Sequence, residues 1–438
     1  MARPADPVKV WGTRPSWFRT VAFPLFLILA CPPATVALWM IVVYHGGSVV
    51  DFVTTASWHD IAARFPLPSW TAAKILGAWA ALQLLLLELL PGRTLLGPVT
   101  PMGNRPRYRE NGVLAFVATH VVLGVAAYPL HLFPPTIVYD HFGSILVTLS
   151  ACALAFCGFL YVKGRTFPST SDASRTGSAV FDYYWGTELH PSLGGVSLKQ
   201  LFNCRLAMMG WSIILCSFAA KQVELHGRLS TSMLVSAGLQ IVYIFKFFVW
   251  EGGYFHTLDI MHDRFGFYIC WGVTAWLPCV YPLVGLYLVD HPVELPAWAA
   301  AGIALLGLAA VAINYQADAQ RQRIRARDGA AKVWGRDPTL IRATYTTGDG
   351  EVHRSVLLAS GWWGVARHFH YLPEIVLAIA WTLPAGFHHA LPWFYVVYLT
   401  ILLVDRAGRD DLRCAQKYGS YWQDYCARVR WRIVPGVY

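Results

Sequence analysis

The sequence predicts an all-α polytopic membrane protein with about ten transmembrane helices. Three observations carry this. The 438 residues are 56% hydrophobic and only 14% charged, whereas soluble domains run near a quarter charged. Aromatic side chains are abundant, with 19 Trp, 21 Tyr and 23 Phe. Apolar runs long enough to cross a bilayer recur along the chain. This composition excludes a disordered chain, a collagen and a secreted disulfide scaffold.

The runs 19–45, 70–90, 113–133, 144–162, 206–220, 231–249, 267–289 and 297–315 each read as one span. The stretch 373–404 is too long for one. Pro384, Gly386 and Pro392 near its middle predict a re-entrant hairpin of two short helices. Arg3, Lys9, Arg14 and Arg19 precede an apolar run too long for a signal peptide, so a first span is expected there.

The net charge of +10 fits cytoplasmic loops rather than nucleic acid. With a cytoplasmic N-terminus, the loop 91–112 places Arg93, Arg105, Arg107 and Arg109 inside, and the basic segment 321–354 falls inside too. The loop 251–266 breaks the rule. It carries Glu251, Asp259 and Asp263 against Arg264, which points to carboxylates lining a site. The nine cysteines fall mostly in apolar runs without CxxC spacing, and read as small buried apolar residues.

The segment 321–372 is polar. A basic helix end turns at Gly329, and an alternating stretch around Arg342 to Thr346 follows. A Gly348-Asp349-Gly350 turn then leads into Val352 to Leu358, which predicts a small polar hairpin.

Two segments combine charge with membrane proximity: Ser360 to Tyr371, and Arg406 to Cys414 with Lys417, Tyr418 and Tyr425 behind it. Arg406, Arg409, Arg413 and Lys417 recur at helical spacing. A cationic face among Trp and Tyr fits either anionic lipid or a flat cofactor bearing phosphate. No GxGxxG or Walker loop accompanies it. Tyr243, Lys246 and Trp250 lie on one helical face. His256, Asp259, His262 and Asp263 lack an HExxH pattern, and no metal site is expected.

Leu357-Leu358-Ala359-Ser360-Gly361-Trp362-Trp363-Gly364, continuing through Arg367-His368-Phe369-His370-Tyr371, resembles a signature of the sterol reductase family, the C14 and C7 reductases. A second signature runs from Arg409-Asp410-Asp411 through Cys414, Lys417-Tyr418-Gly419, Trp422 and Tyr425. Similarity extends over the chain, through Gly103-Asn104-Arg105-Pro106, Asp182-Tyr183-Tyr184-Trp185-Gly186 and the ending Arg432-Ile433-Val434-Pro435-Gly436. Val333-Trp334-Gly335-Arg336-Asp337-Pro338 with Tyr345-Thr346 is similar to an insert of the 7-dehydrocholesterol reductases. Phe247 to Tyr254 and His368 to Glu374 resemble the plant form of those enzymes. Where Lys246 and Val273 stand, Asp is common in other members, so neither position inherits a carboxylate role.

The resemblance implies NADPH-dependent reduction of the C7–C8 double bond of sterol 5,7-dienes in sterol biosynthesis, at the endoplasmic reticulum membrane in a eukaryotic cell. Because no carbonyl polarises such a diene, an acid must protonate C8 and hydride must then reach C7. The resemblance places the acid at Tyr243, with Asp410 as relay or orienting carboxylate. It places NADPH at Arg321, Arg325, Leu358, Trp363, His370, Tyr371, Asp410, Cys414, Ala415, Gln416, Lys417, Tyr418 and Tyr425. Trp250 and Glu251 are expected on the sterol. The implied organisation is helices and loops over 1–205, sterol-lining helices over 206–320, and an NADPH region with the re-entrant hairpin over 321–438. The partners implied are sterol and bilayer, without nucleic acid. Two alternatives are a C14 reductase acting on 8,14-dienes and a prenylcysteine-type membrane methyltransferase using S-adenosylmethionine. A non-catalytic sterol-binding protein is a third.

Overall fold

The computed structural model describes residues 16–438. Arg3, Lys9 and Arg14 lie outside the described residues. Among the described residues eight helices are long and apolar enough to cross a membrane, and two shorter apolar helices accompany them. In chain order they are α1 Phe18–His45, α2 Trp70–Leu89, α3 Gly112–Ala127, α4 Phe142–Thr166, α5 Gln200–His226, α6 Thr231–Val249, α7 Phe267–Asp290, α8 Ala297–Ala326, α9 Tyr371–Ala385 and α10 Leu391–Tyr418. A polar helix, α11 Ser420–Arg428, follows.

Several helices start where the sequence supplies a cap. Ser69 and Ser230 accept backbone N–H groups at the starts of α2 and α6. Gly46 and Gly227 close α1 and α5 in the left-handed conformation. All nine cysteines are free thiols.

The bundle centres on α6, which packs against α3, α5, α8 and α9. The main core runs through Trp211, Ile244, Phe247, Leu283 and Trp381. Among the described residues three stretches are wound more loosely, as π-helix: Phe18–Ala22 at the start of α1, Gln200–Met208 at the start of α5 and Gly272–Trp276 within α7. Such windings cluster at functional sites, and the last two contribute Asn203, Met208 and Val273 to the cavity described below.

The hairpin expected over 373–404 takes a different form. The Pro-rich turn is present, but only its first arm is short. The second arm continues as α10 to Tyr418. The polar residues after 404 reverse the hydropathy without breaking the helix, because Arg and Asp side chains there pair with one another and with the 251–266 loop.

The described residues also form three small antiparallel pairs: β1 Arg93–Leu96 with β2 Arg107–Glu110, β3 Ser192–Leu193 with β4 Val196–Ser197, and β5 Leu340–Thr346 with β6 Val352–Leu358. The last is the expected polar hairpin. Its register pairs Leu340 with Leu358 and Thr346 with Val352. Ile341, Ala343 and Leu357 pack on Cys414, Tyr418, Trp422 and Tyr425 of α10 and α11. At its tip the Gly348 amide donates to Pro101 O at 2.7 Å, tying the hairpin to the loop after β1.

Candidate active site

One cavity of about 880 Å³ runs from the helical bundle to the β5–β6 hairpin. Its two ends differ in chemistry. The bundle end is apolar and aromatic, lined by Met208, Val273, Leu277, Tyr281, Tyr395 and Leu399. The other end carries Arg321, Arg325, Arg413 and Lys417 among Tyr345, Trp363, Tyr418 and Tyr425.

Tyr243 and Lys246 on α6, and Trp250 capping its end, all face this cavity, as their spacing requires. The Tyr243 ring sits among Trp211 and Trp381, with centroids at 6.0 and 5.9 Å. Tyr281 and Tyr395 complete the aromatic wall, 4.7 Å apart. The Tyr243 hydroxyl donates to Glu374 Oε1 at 3.4 Å. Asn314 Nδ2 donates to the same oxygen at 3.4 Å and to His370 O at 2.9 Å. The Lys246 ammonium donates to Asn314 Oδ1 and lies 3.9 Å from Asp318. Trp250 has its ring 5.3 Å from the Lys246 ammonium, and its indole N–H donates to Gln322.

Glu251 is not in the cavity. It is fully buried, and its carboxylate binds Arg205 at 2.5 and 3.1 Å and the Gly112 amide at 2.9 Å. Position 251 thus locks α3, α5 and the end of α6 together. The other carboxylates of its loop serve α10. Asp259 lines the cavity and pairs with Arg406 at 3.1 Å. Asp263 pairs with Arg409 at 2.7 Å. Burial alone would raise the Asp263 carboxyl, but Arg409 and His262 outweigh it and hold it well below the usual range. Arg409 is therefore turned into protein, while Arg406, Arg413 and Lys417 face the cavity.

At the polar end the Arg321 guanidinium lies 3.9 Å from the Trp363 ring centroid and 3.7 Å from Asp318. The Trp363 indole donates to Ala317 O at 2.7 Å, and the Tyr425 hydroxyl donates to Trp363 O at 3.2 Å. Asp410 accepts from Arg413 at 2.8 Å and lies 4.0 Å from His368. The Lys417 ammonium sits 3.9 Å over Tyr345. Among the described residues Arg325 and Lys417 have no carboxylate partner. Leu358, His370, Tyr371, Cys414, Gln416 and Tyr418 also line the cavity, but Ala415 is exposed on the outer side of α10. The insert reaches the cavity through Tyr345 and Thr346.

The profile of the Ergosterol biosynthesis ERG4/ERG24 family matches residues 16–438. The chain belongs to this sterol reductase family. It is 46% identical to a 7-dehydrocholesterol reductase of Arabidopsis thaliana, over 96% of this chain and 98% of that protein. A 7-dehydrocholesterol reductase of Xenopus laevis is 40% identical, over 86% of this chain and 83% of its own length. A Delta(14)-sterol reductase of Methylotuvimicrobium alcaliphilum is 38% identical, with 94% of each chain covered. The protein is thus an integral membrane oxidoreductase of the sterol reductase class.

The structure adds Glu374, Asn314 and Asp318 to the site. Glu374 ends the His368 to Glu374 motif, and Asn314 and Asp318 sit one turn apart on α8, at the end of the apolar run 297–315 and just beyond it. A polar pair facing inward from an apolar helix is the signal that would have found them.

Proposed function

We propose that the protein reduces the C7–C8 double bond of sterol 5,7-dienes with NADPH, in a sterol-synthesising membrane, the endoplasmic reticulum where the cell is eukaryotic. The observation that carries this is the two-ended cavity, with a phenol in an aromatic pocket at one end and a cluster of cations beside aromatic rings at the other. The family and the Arabidopsis thaliana and Xenopus laevis relatives support the Δ7 choice over C14 reduction.

The residues present fit NADPH. His370 Nδ1 is buried without a hydrogen-bond partner. Burial first, then Arg321 nearby, pushes the His370 ring well below its ordinary range, so it is neutral. Arg321, Arg325 and Lys417 would hold the phosphates, including the 2′-phosphate, and Trp363, Tyr418 and Tyr425 would pack on the flat rings. NADPH, when bound, supplies the hydride for C7.

The chain supplies the rest. Tyr243 gives its proton to C8, leaving an allyl cation over C5 to C7. The faces of Tyr281 and Tyr395 stabilise that cation and exclude water from it, while Trp211 and Trp381 back the Tyr243 ring. Trp250 fills the cavity wall beside Lys246, and Asp410 orients Arg413. Incubating the purified protein with NADPH and 7-dehydrocholesterol, and following the ultraviolet absorption of the diene, tests this reading.

A further inference from the structure

We infer that Glu374 is the positioning residue that returns a proton to Tyr243 after each turnover. The inference rests on the reaction proposed above. The Tyr243 hydroxyl is 3.4 Å from Glu374 Oε1. Asn314 fixes that carboxyl group from the other side, with its amide nitrogen toward Glu374 and its oxygen toward the Lys246 ammonium. Lys246 lies 3.9 Å from Asp318, a carboxylate it shares with Arg321 at 3.7 Å. With Arg321 given to the cofactor phosphates, Asp318 is left to balance Lys246, and Glu374 can hold a proton without leaving that ammonium unbalanced. Asp410 lacks that freedom, because Arg413 holds it at 2.7 Å and stabilises its ionised form.

The proton balance is complete. The C7–C8 π pair forms the new C8–H bond as the Tyr243 O–H bond breaks. The carboxyl O–H of Glu374 then breaks as its proton moves to the phenolate oxygen. The Glu374 carboxylate is reprotonated by a hydronium ion entering through the polar end, so each turnover consumes one solvent proton.

The test uses the full-length protein as wild type, Glu374→Gln and Glu374→Asp, with NADPH and 7-dehydrocholesterol in ordinary and heavy water. Glu374→Gln keeps the hydrogen bonds but cannot donate an acidic proton. It should lower kcat about a hundredfold, leave the NADPH KM within about twofold and enlarge the solvent isotope effect on kcat. Glu374→Asp should recover a substantial part of the lost turnover. Wild-type kcat in Glu374→Gln, an unchanged isotope effect, or an Asp variant as slow as the Gln variant would each overturn the relay alone. A wild-type protein that leaves the diene untouched overturns the sterol reading and the relay with it.

Discussion

The Arg205 guanidinium grips both oxygens of the Glu251 carboxylate, at 2.5 and 3.1 Å, and neither side chain reaches solvent. Asn111 Oδ1 accepts a further hydrogen bond from Arg205 at 2.8 Å. Three elements distant in sequence are thereby fixed behind the cavity wall. Removing one partner leaves the other charge buried and unpaired. Glu251→Gln should therefore destabilise the protein by about 3–5 kcal/mol, read as a lower melting temperature in detergent. The sterol KM of the folded fraction should stay at the wild-type value, because Glu251 does not touch the cavity. A raised sterol KM with unchanged melting would return Glu251 to the substrate.

Tyr243→Phe keeps the ring among Trp211 and Trp381 but removes the proton. Turnover should fall about a hundredfold or more, while NADPH binding, followed by nicotinamide fluorescence, is preserved. Normal turnover would refute the acid assignment.

Arg325 and Lys417 are cavity cations without carboxylate partners among the described residues. Each charge-assisted bond to phosphate is worth about 1.5–3 kcal/mol. Arg325→Ala and Lys417→Ala should each raise the NADPH KM about tenfold or more, and the wild-type KM should rise with salt. A KM insensitive to both substitutions would move the phosphates elsewhere.

His190, which is buried, and His370, which is half-buried and lines the cavity, set a pH dependence outside the spans. Burial first, then neighbouring cations, pushes His190 and His370 well below the ordinary histidine range. The cations are Lys199 and Arg264 for His190, and Arg321 for His370. The unfolded chain, with histidine near pKa 6.5, then binds more protons than the native one once pH drops below that value. Stability should be level above about pH 7 and fall as pH drops below about 6.5, by up to about 1.4 kcal/mol per pH unit for each group. Melting scans from pH 8 to 5 check this, and His190→Gln should reduce the slope. A melting temperature constant down to pH 5 would contradict it.

The spans were legible because hydropathy is a local property, and the hairpin because its alternation and Gly348-Asp349-Gly350 turn are local too. The cavity face of α6 followed from helical spacing. What stayed hidden depends on distance in sequence. Arg205 and Glu251 are 46 residues apart, and Tyr243 and Glu374 are 131 apart. No periodicity encodes either pairing. The acidic loop stands out by its charge, yet its carboxylates divide between cavity and scaffold. Glu251 answers Arg205, whereas Asp259 answers Arg406. The length of α10 is hidden in the sequence for a related reason. Its polar half has the composition of a tail, and the partners of its arginines, Asp259 and Asp263, lie far away in the chain.

The central claim is that this cavity reduces a 5,7-diene. The decisive measurement gives the purified protein NADPH together with 7-dehydrocholesterol, and in parallel an 8,14-diene sterol. The account predicts loss of the 5,7-diene absorption matched mole for mole by NADPH oxidation, with the 8,14-diene left intact. Reduction of the 8,14-diene with the 5,7-diene untouched, or no NADPH oxidation with either, would contradict it.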